Sequence, residues 1–135
     1  MELDDIAKES DIILNLEPLN VIVDHRGYFL RNSSMGFNIL KAINSKNIKI
    51  LYDIYHMQIM EDNIIRNIEE NVDLIGHIHI ADVSGRHEPR TGELNFSNIL
   101  RALEKIGYNG YIGFEYIPLN NTEASLESVK SIFKF

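Results

Sequence analysis

Apolar residues gather along the chain in short runs separated by longer stretches of helical periodicity, and the two patterns alternate. Four runs read as strands: "IILNLE" at Ile12–Glu17, "IKILYDIY" at Ile48–Tyr55, "IGHIHIAD" at Ile75–Asp82 and "YIGFEYI" at Tyr111–Ile117. Each is close to continuously apolar, which predicts strands covered on both faces. Helical spacing marks Glu2–Glu9, about Ser34–Ser45, Asp62–Asn71, Phe96–Ile106 and Glu123–Phe133. The clearest is "NFSNILRALEKIGYNG", where Ile99, Leu100, Leu103 and Ile106 form an apolar stripe and Gly107 is placed to end the helix. Strand and helix alternating at this spacing predict an α/β fold of parallel βα units with right-handed crossovers.

The apolar runs share a further property: each carries an ionisable group near its end. These are Glu17, Asp53, His79 and Glu115, separated by 36, 26 and 36 residues, about one βα unit each. The four therefore belong at similar heights near the carboxyl ends of adjacent parallel strands, where α/β folds place their chemistry. Three carboxylates and one imidazole meeting at a point make a hard oxygen site with a single nitrogen. Such a set suits Mg²⁺ or Mn²⁺ and also admits Co²⁺ or Zn²⁺. Without a cation, the carboxylates would repel one another and take up protons.

Neighbouring side chains divide between chemistry and packing. His77 and His79 lie two apart and share a strand face; His79 is the expected ligand, and His77, one pleat deeper, a hydrogen-bonded core residue. His56 reads either as a substrate contact or as an ordinary loop histidine, and Tyr52 and Tyr55 read as packing. The loop "SGRHEPRTGE" at Ser84–Glu93 gathers charges expected to be mostly solvated. Arg86, nearest the strand end, is the best placed to grip an anionic group.

Composition narrows the classes. A chain of 135 residues with 44% apolar side chains can bury a core as one domain, residues 1–135. Thirteen basic against twenty acidic residues give a net charge of -7, which removes the usual driving force for phosphate-backbone binding. Nucleic acid is not an expected partner. With no cysteine there is no disulfide, thiolate site or thiol nucleophile. No apolar stretch approaches the roughly 20 residues needed to cross a bilayer, and the acidic start "MELDDIAKESD" is unlike a signal peptide. The expectation is a soluble cytoplasmic protein without membrane partners.

Four phrases, "LNLEPLN", "LYDIYHMQIME", "HIHIADVSGRHEPRTGELNF" and "GYNGYIGFEYIP", resemble the second half of the hydroxypyruvate isomerase family. That family belongs to the xylose-isomerase-like TIM barrels, with ketose 3-epimerases and a zinc endonuclease branch as relatives. The resemblance implies a parallel (β/α) half-barrel of four βα units and an aldose-ketose type isomerase of carbohydrate metabolism. It implies Glu17, Asp53, His79 and Glu115 as metal ligands, Glu17 and Glu115 as the acid/base pair, and His56 and Arg86 as substrate contacts. The implied reaction interconverts hydroxypyruvate and tartronate semialdehyde, or a related small 2-keto acid, by glutamate-mediated proton transfer through a metal-stabilised enediolate. A ketose 3-epimerase, a zinc phosphodiesterase and a non-catalytic half-barrel are the alternatives. Several isomerases of the subgroup carry glutamine where this chain has His79, and the epimerase branch carries histidine. Ser84 and Arg90 stand where proline and glycine are expected. Since the family's barrel has eight βα units, self-association or a separate N-terminal half is expected to close the ring.

Overall fold

A computed structural model describes residues 2–133. The elements run α1 (Glu2–Glu9), β1 (Leu14–Leu16), α2 (Ser33–Ile43), β2 (Ile48–Asp53), α3 (Ile54–Met60) and α4 (Ile64–Asn71). A 3₁₀ turn (Val72–Leu74) leads into β3 (Ile75–Ile80), followed by α5 (Phe96–Lys105), β4 (Tyr111–Phe114) and α6 (Thr122–Phe133). The four strands form one parallel sheet in the order β1-β2-β3-β4. This is the predicted arrangement of successive βα units, and it makes the chain a (β/α) half-barrel.

The core lies on one face of the sheet. Ile48, Ile50 and Tyr52 of β2 and Ile78 and Ile80 of β3 are buried there against Phe37 and Leu40 of α2, Met57 of α3, Ile64 and Ile68 of α4 and Phe96, Ile99 and Leu103 of α5. Each such side chain contributes about 1.5–3 kcal/mol on burial. Tyr52 stacks on Phe37 with ring centroids 6.4 Å apart, the packing role expected of it. Helix α2 comes close to β2 because it carries Gly36: a Cβ there would lie 2.6 Å from Ile50 Cδ1.

The other face differs from the expectation of strands covered on both sides. Asn15 is exposed, and Lys49, Leu51 and His77 are half-exposed; β2 alternates along Ile48–Tyr52 where its sequence looked continuous. Leu51 is apolar but points to the open face, so apolar content concealed the alternation.

The strands are also shorter than their apolar runs. The second stops at Asp53, and "IYHMQIM", partly expected as strand and partly as loop, is helix α3. The cause is local. Asp53 is the N-cap of α3, its Oδ1 accepting hydrogen bonds from Tyr55 N at 2.8 Å and His56 N at 3.3 Å. The strand therefore ends where its carboxylate turns the chain.

Candidate metal centre

The strand ends bring the expected groups together. Asp53 is the register partner of His79, and His79 that of Gly113. Glu17 follows β1 directly and Glu115 follows β4, its N–H continuing the ladder to Ile80 O at 3.2 Å. One ligand atom each from Glu17, Asp53, His79 and Glu115 lies within 4.8 Å of the others. His79 Nδ1 is 3.2 Å from Glu115 Oε2 and 4.0 Å from Glu17 Oε1.

These groups have the chemistry of cation ligands. Glu17 Oε1 and His79 Nδ1 are buried without any hydrogen-bond partner among the described residues, a costly state for isolated polar atoms. Asp53 divides its work: Oδ1 caps α3, while Oδ2 faces the cluster. Burial, with Asp53 and Glu115 close by, pushes the Glu17 carboxyl up to about 7. Burial likewise raises Asp53, opposed by the Arg86 guanidinium. A divalent ion would satisfy the orphaned atoms and relieve this repulsion, and three oxygen donors with one nitrogen fit it.

Arg86, expected to grip an anionic group, pairs with carboxylates of the cluster itself. Its Nη2 donates to Glu115 Oε2 at 2.6 Å and lies 3.4 Å from Asp53 Oδ2, while the guanidinium sits 5.0 Å from the centre of the Tyr55 ring. Two loops hold it there. Ile117 N donates to Arg86 O, His87 Nδ1 meets Ile117 O at 2.7 Å, and Leu119 N donates to buried Glu88. Glu88 was expected to be solvated with its loop; instead it fastens that loop to the one after β4.

His56 is buried with its ring beside the centre, Nε2 lying 3.7 Å from Asp53 Oδ2. Burial lowers its imidazole to about 4, with Arg86 and His25 acting in the same direction. His77, expected as a hydrogen-bonded core residue, is half-buried and makes no side-chain hydrogen bond among the described residues; it stands edge-on to His79, ring centroids 4.9 Å apart. Tyr55 does more than pack, since its hydroxyl donates to Asp24 Oδ2 at 2.9 Å beneath Arg86.

Sequence reasoning missed Asn20, Asp24 and Asp82. Asn20 and Asp24 lie in the loop after β1 and support His56 and Tyr55. Buried Asp82 accepts from Val83 N, Arg90 N and Leu94 N, organising the loop after β3. The signal for Asn20 and Asp82 was an Asx residue shortly past a strand, the type that folds backbone N–H groups around its side chain; Asp24, which accepts from side chains, left no such signal. In that loop Arg90 adopts φ +80°, a left-handed conformation that explains the glycine expected at its position.

Parallel βα units converging three carboxylates and an imidazole at their carboxyl ends define an α/β-barrel protein with a candidate divalent-cation centre. The chain belongs to the xylose isomerase-like TIM barrel family, whose model matches residues 1–132. It is 40% identical over 118 residues to hydroxypyruvate isomerase of Escherichia coli (strain K12), covering 87% of this chain and 45% of that protein. It is 38% identical over 124 residues to 2-oxo-tetronate isomerase of Cupriavidus necator, covering 92% and 47%. Among solved structures, an AP endonuclease family 2 protein from Brucella melitensis superposes with a TM-score of 0.89 at 35% identity, covering 95% of this chain and 49% of that one. The chain thus spans about half the length of the curated relatives it matches.

Proposed function

We propose that this chain supplies the metal-binding half of an isomerase that interconverts hydroxypyruvate and tartronate semialdehyde, or a closely related small 2-keto acid. The observation that carries this reading is the cluster of Glu17, Asp53, His79 and Glu115 on four adjacent strands, with ligand atoms within 4.8 Å of one another. The identities to hydroxypyruvate and 2-oxo-tetronate isomerases support the substrate class.

Those four residues would hold Mg²⁺ or Mn²⁺. When bound, the ion supplies Lewis-acid polarisation of a carbonyl group. The remaining work falls to side chains. The Arg86 guanidinium uses Nη2 on Glu115 and Asp53, and those are its side-chain hydrogen bonds among the described residues. Its Nε and Nη1 are therefore left to meet the substrate carboxylate. Glu115, charge-paired with Arg86, removes a proton from C3 of hydroxypyruvate, giving the enediolate. Glu17, which a bound ion would keep deprotonated, takes up the C3 hydroxyl proton and delivers it at C2, and Glu115 passes its proton to the C2 oxygen, completing the aldehyde. Two glutamates in unlike surroundings divide the transfer between them.

His79 keeps a second reading in view, since histidine at that position is the feature shared with ketose 3-epimerases. The test is substrate loss with Mg²⁺ or Mn²⁺ added, hydroxypyruvate beside a ketohexose. Metal-dependent loss of hydroxypyruvate is expected; epimerisation of the ketohexose alone would transfer the assignment to the epimerases. The single imidazole in the cluster and the net charge of -7 weigh against a multi-zinc phosphodiesterase.

A further inference from the structure

The loop after β1 determines which nitrogen of His56 bears the proton. Asn20 is completely buried. Its Oδ1 accepts from Val23 N and Asp24 N, both at 3.0 Å, which fixes the orientation of the amide. The Nδ2 group must then face the other way. There it donates to Asp24 Oδ2 at 2.7 Å and approaches His56 Nδ1 at 2.7 Å. The backbone N–H of Asn20 also points at His56 Nδ1, at 3.3 Å. Two groups that can only donate thus converge on one ring nitrogen, which must offer a lone pair. In a neutral imidazole the hydrogen then resides on Nε2.

That second nitrogen is the one turned toward the metal centre. His56 Nε2 is buried and has no hydrogen-bond partner among the described residues, with Asp53 Oδ2 beyond bonding range at 3.7 Å. The ring is held edge-on to Tyr55 and His25, with centroids 5.2 and 5.4 Å away, so it has little freedom to turn aside. A buried N–H without an acceptor is costly, and an incoming acceptor atom would relieve it.

We propose that Asn20 is a positioning residue that locks His56 in the Nε2–H tautomer, so that His56 offers a fixed hydrogen-bond donor to a carbonyl or hydroxyl oxygen of the ligand. The donor role excludes His56 as a metal ligand and as a general base, since both need a lone pair at Nε2. The oxygen it meets is that of the small hydroxy-keto acid, and this part rests on the isomerase reading above.

The tautomer is measurable on the ¹⁵N-labelled chain by long-range ¹H–¹⁵N correlation at neutral pH, with His56 assigned from the signals lost in His56→Gln. The expected pattern is a bare Nδ1 and a protonated Nε2. A protonated Nδ1, an imidazolium or averaged tautomers would overturn the proposal. Asn20→Asp places an acceptor against Nδ1 and is expected to move the proton there. Should that variant not fold, Asn20→Ala, which leaves only the longer backbone N–H contact at 3.3 Å, is expected to admit a measurable Nδ1–H population. An unchanged Nε2–H pattern in a folded variant removes Asn20 from the role. In turnover of hydroxypyruvate with Mg²⁺, His56→Gln, which keeps an amide donor, is expected to retain at least tenfold more kcat/KM than His56→Leu; equal losses refute the donor role. A chain that shows the Nε2–H pattern yet turns over no hydroxypyruvate keeps the Asn20 assignment and loses only the isomerase reading.

Discussion

The proposed chemistry depends on single residues whose surroundings make them unusual. Glu17 is the clearest, because burial and two neighbouring carboxylates leave its carboxyl near 7. A protonated carboxyl is a poor ligand, so a cation must displace that proton. Mn²⁺ affinity is therefore expected to rise from pH 6 to pH 8, with proton release visible by calorimetry in buffers of different ionisation enthalpy. A pH-independent affinity would show that Glu17 is not a ligand. Glu17→Gln should bind Mn²⁺ at least about 100-fold more weakly. Gly113 matters for a different reason: a Cβ on it would lie 2.9 Å from both His77 Nε2 and His79 Cδ2. The rings of two histidines occupy the space that a side chain on β4 would take. Gly113→Ala must displace His79, and it is expected to weaken Mn²⁺ binding at least about tenfold, the scale of a disturbed ligand orientation. Titration with Mn²⁺, set beside the thermal midpoint of the same variant, separates this from general unfolding.

Among the elements, the join between β2 and α3 shows how the site is built and why it was only partly legible. The run "LYDIYHMQ" announces a strand that carries a carboxylate, but the strand ends at Asp53, two residues short of the expected Tyr55. What apolar content could not show is that Ile54, Tyr55 and Met57 are buried from a helix instead of a longer strand, since a short apolar run fits either. The deciding feature is a cap, a property of geometry more than of hydrophobicity. Asp53 both starts the helix through Oδ1 and serves the cluster through Oδ2, so its two roles can be separated. Asp53→Asn keeps an oxygen for Tyr55 N and removes a charge that burial disfavours. It is expected to match or exceed the wild-type midpoint in metal-free urea denaturation while losing Mn²⁺ binding. Asp53→Ala removes both roles and should cost about 1 kcal/mol or more through the lost cap. If Asn proved as destabilising as Ala, the capping role would be refuted. In the loop after β3, Asp82 and Glu88 draw backbone N–H groups inward, and such long-range partners leave no periodic trace in sequence.

At the scale of the molecule, strand order and the shared height of Glu17, Asp53, His79 and Glu115 followed from the spacing of βα units, since parallel crossovers leave few other arrangements. The half-exposed face of the sheet did not, because Leu51 hides the alternation. The cluster proposed to carry the chemistry is a liability for folding. Glu17 binds a proton more tightly in the fold, at about 7, than at its ordinary value of 4.5, so its contribution falls as pH rises from 4.5 to 7. His56 acts the other way: its imidazole, lowered to about 4 from 6.5, adds stability as pH rises across that interval. Total stability mixes the two, but the difference between wild type and Glu17→Gln isolates the first. In EDTA, that difference is expected to move against wild type between pH 4.5 and 7.5. A bound cation should reverse it, because an ion that binds only the folded chain adds about 2.7 kcal/mol at a hundredfold excess over its Kd. For a chain of this size that is roughly 8 °C in the midpoint. Scanning fluorimetry with Mn²⁺, then EDTA, at pH 7.5 checks it for wild type and Glu17→Gln together. A midpoint indifferent to Mn²⁺ in the wild type would mean that the four side chains do not hold a divalent ion.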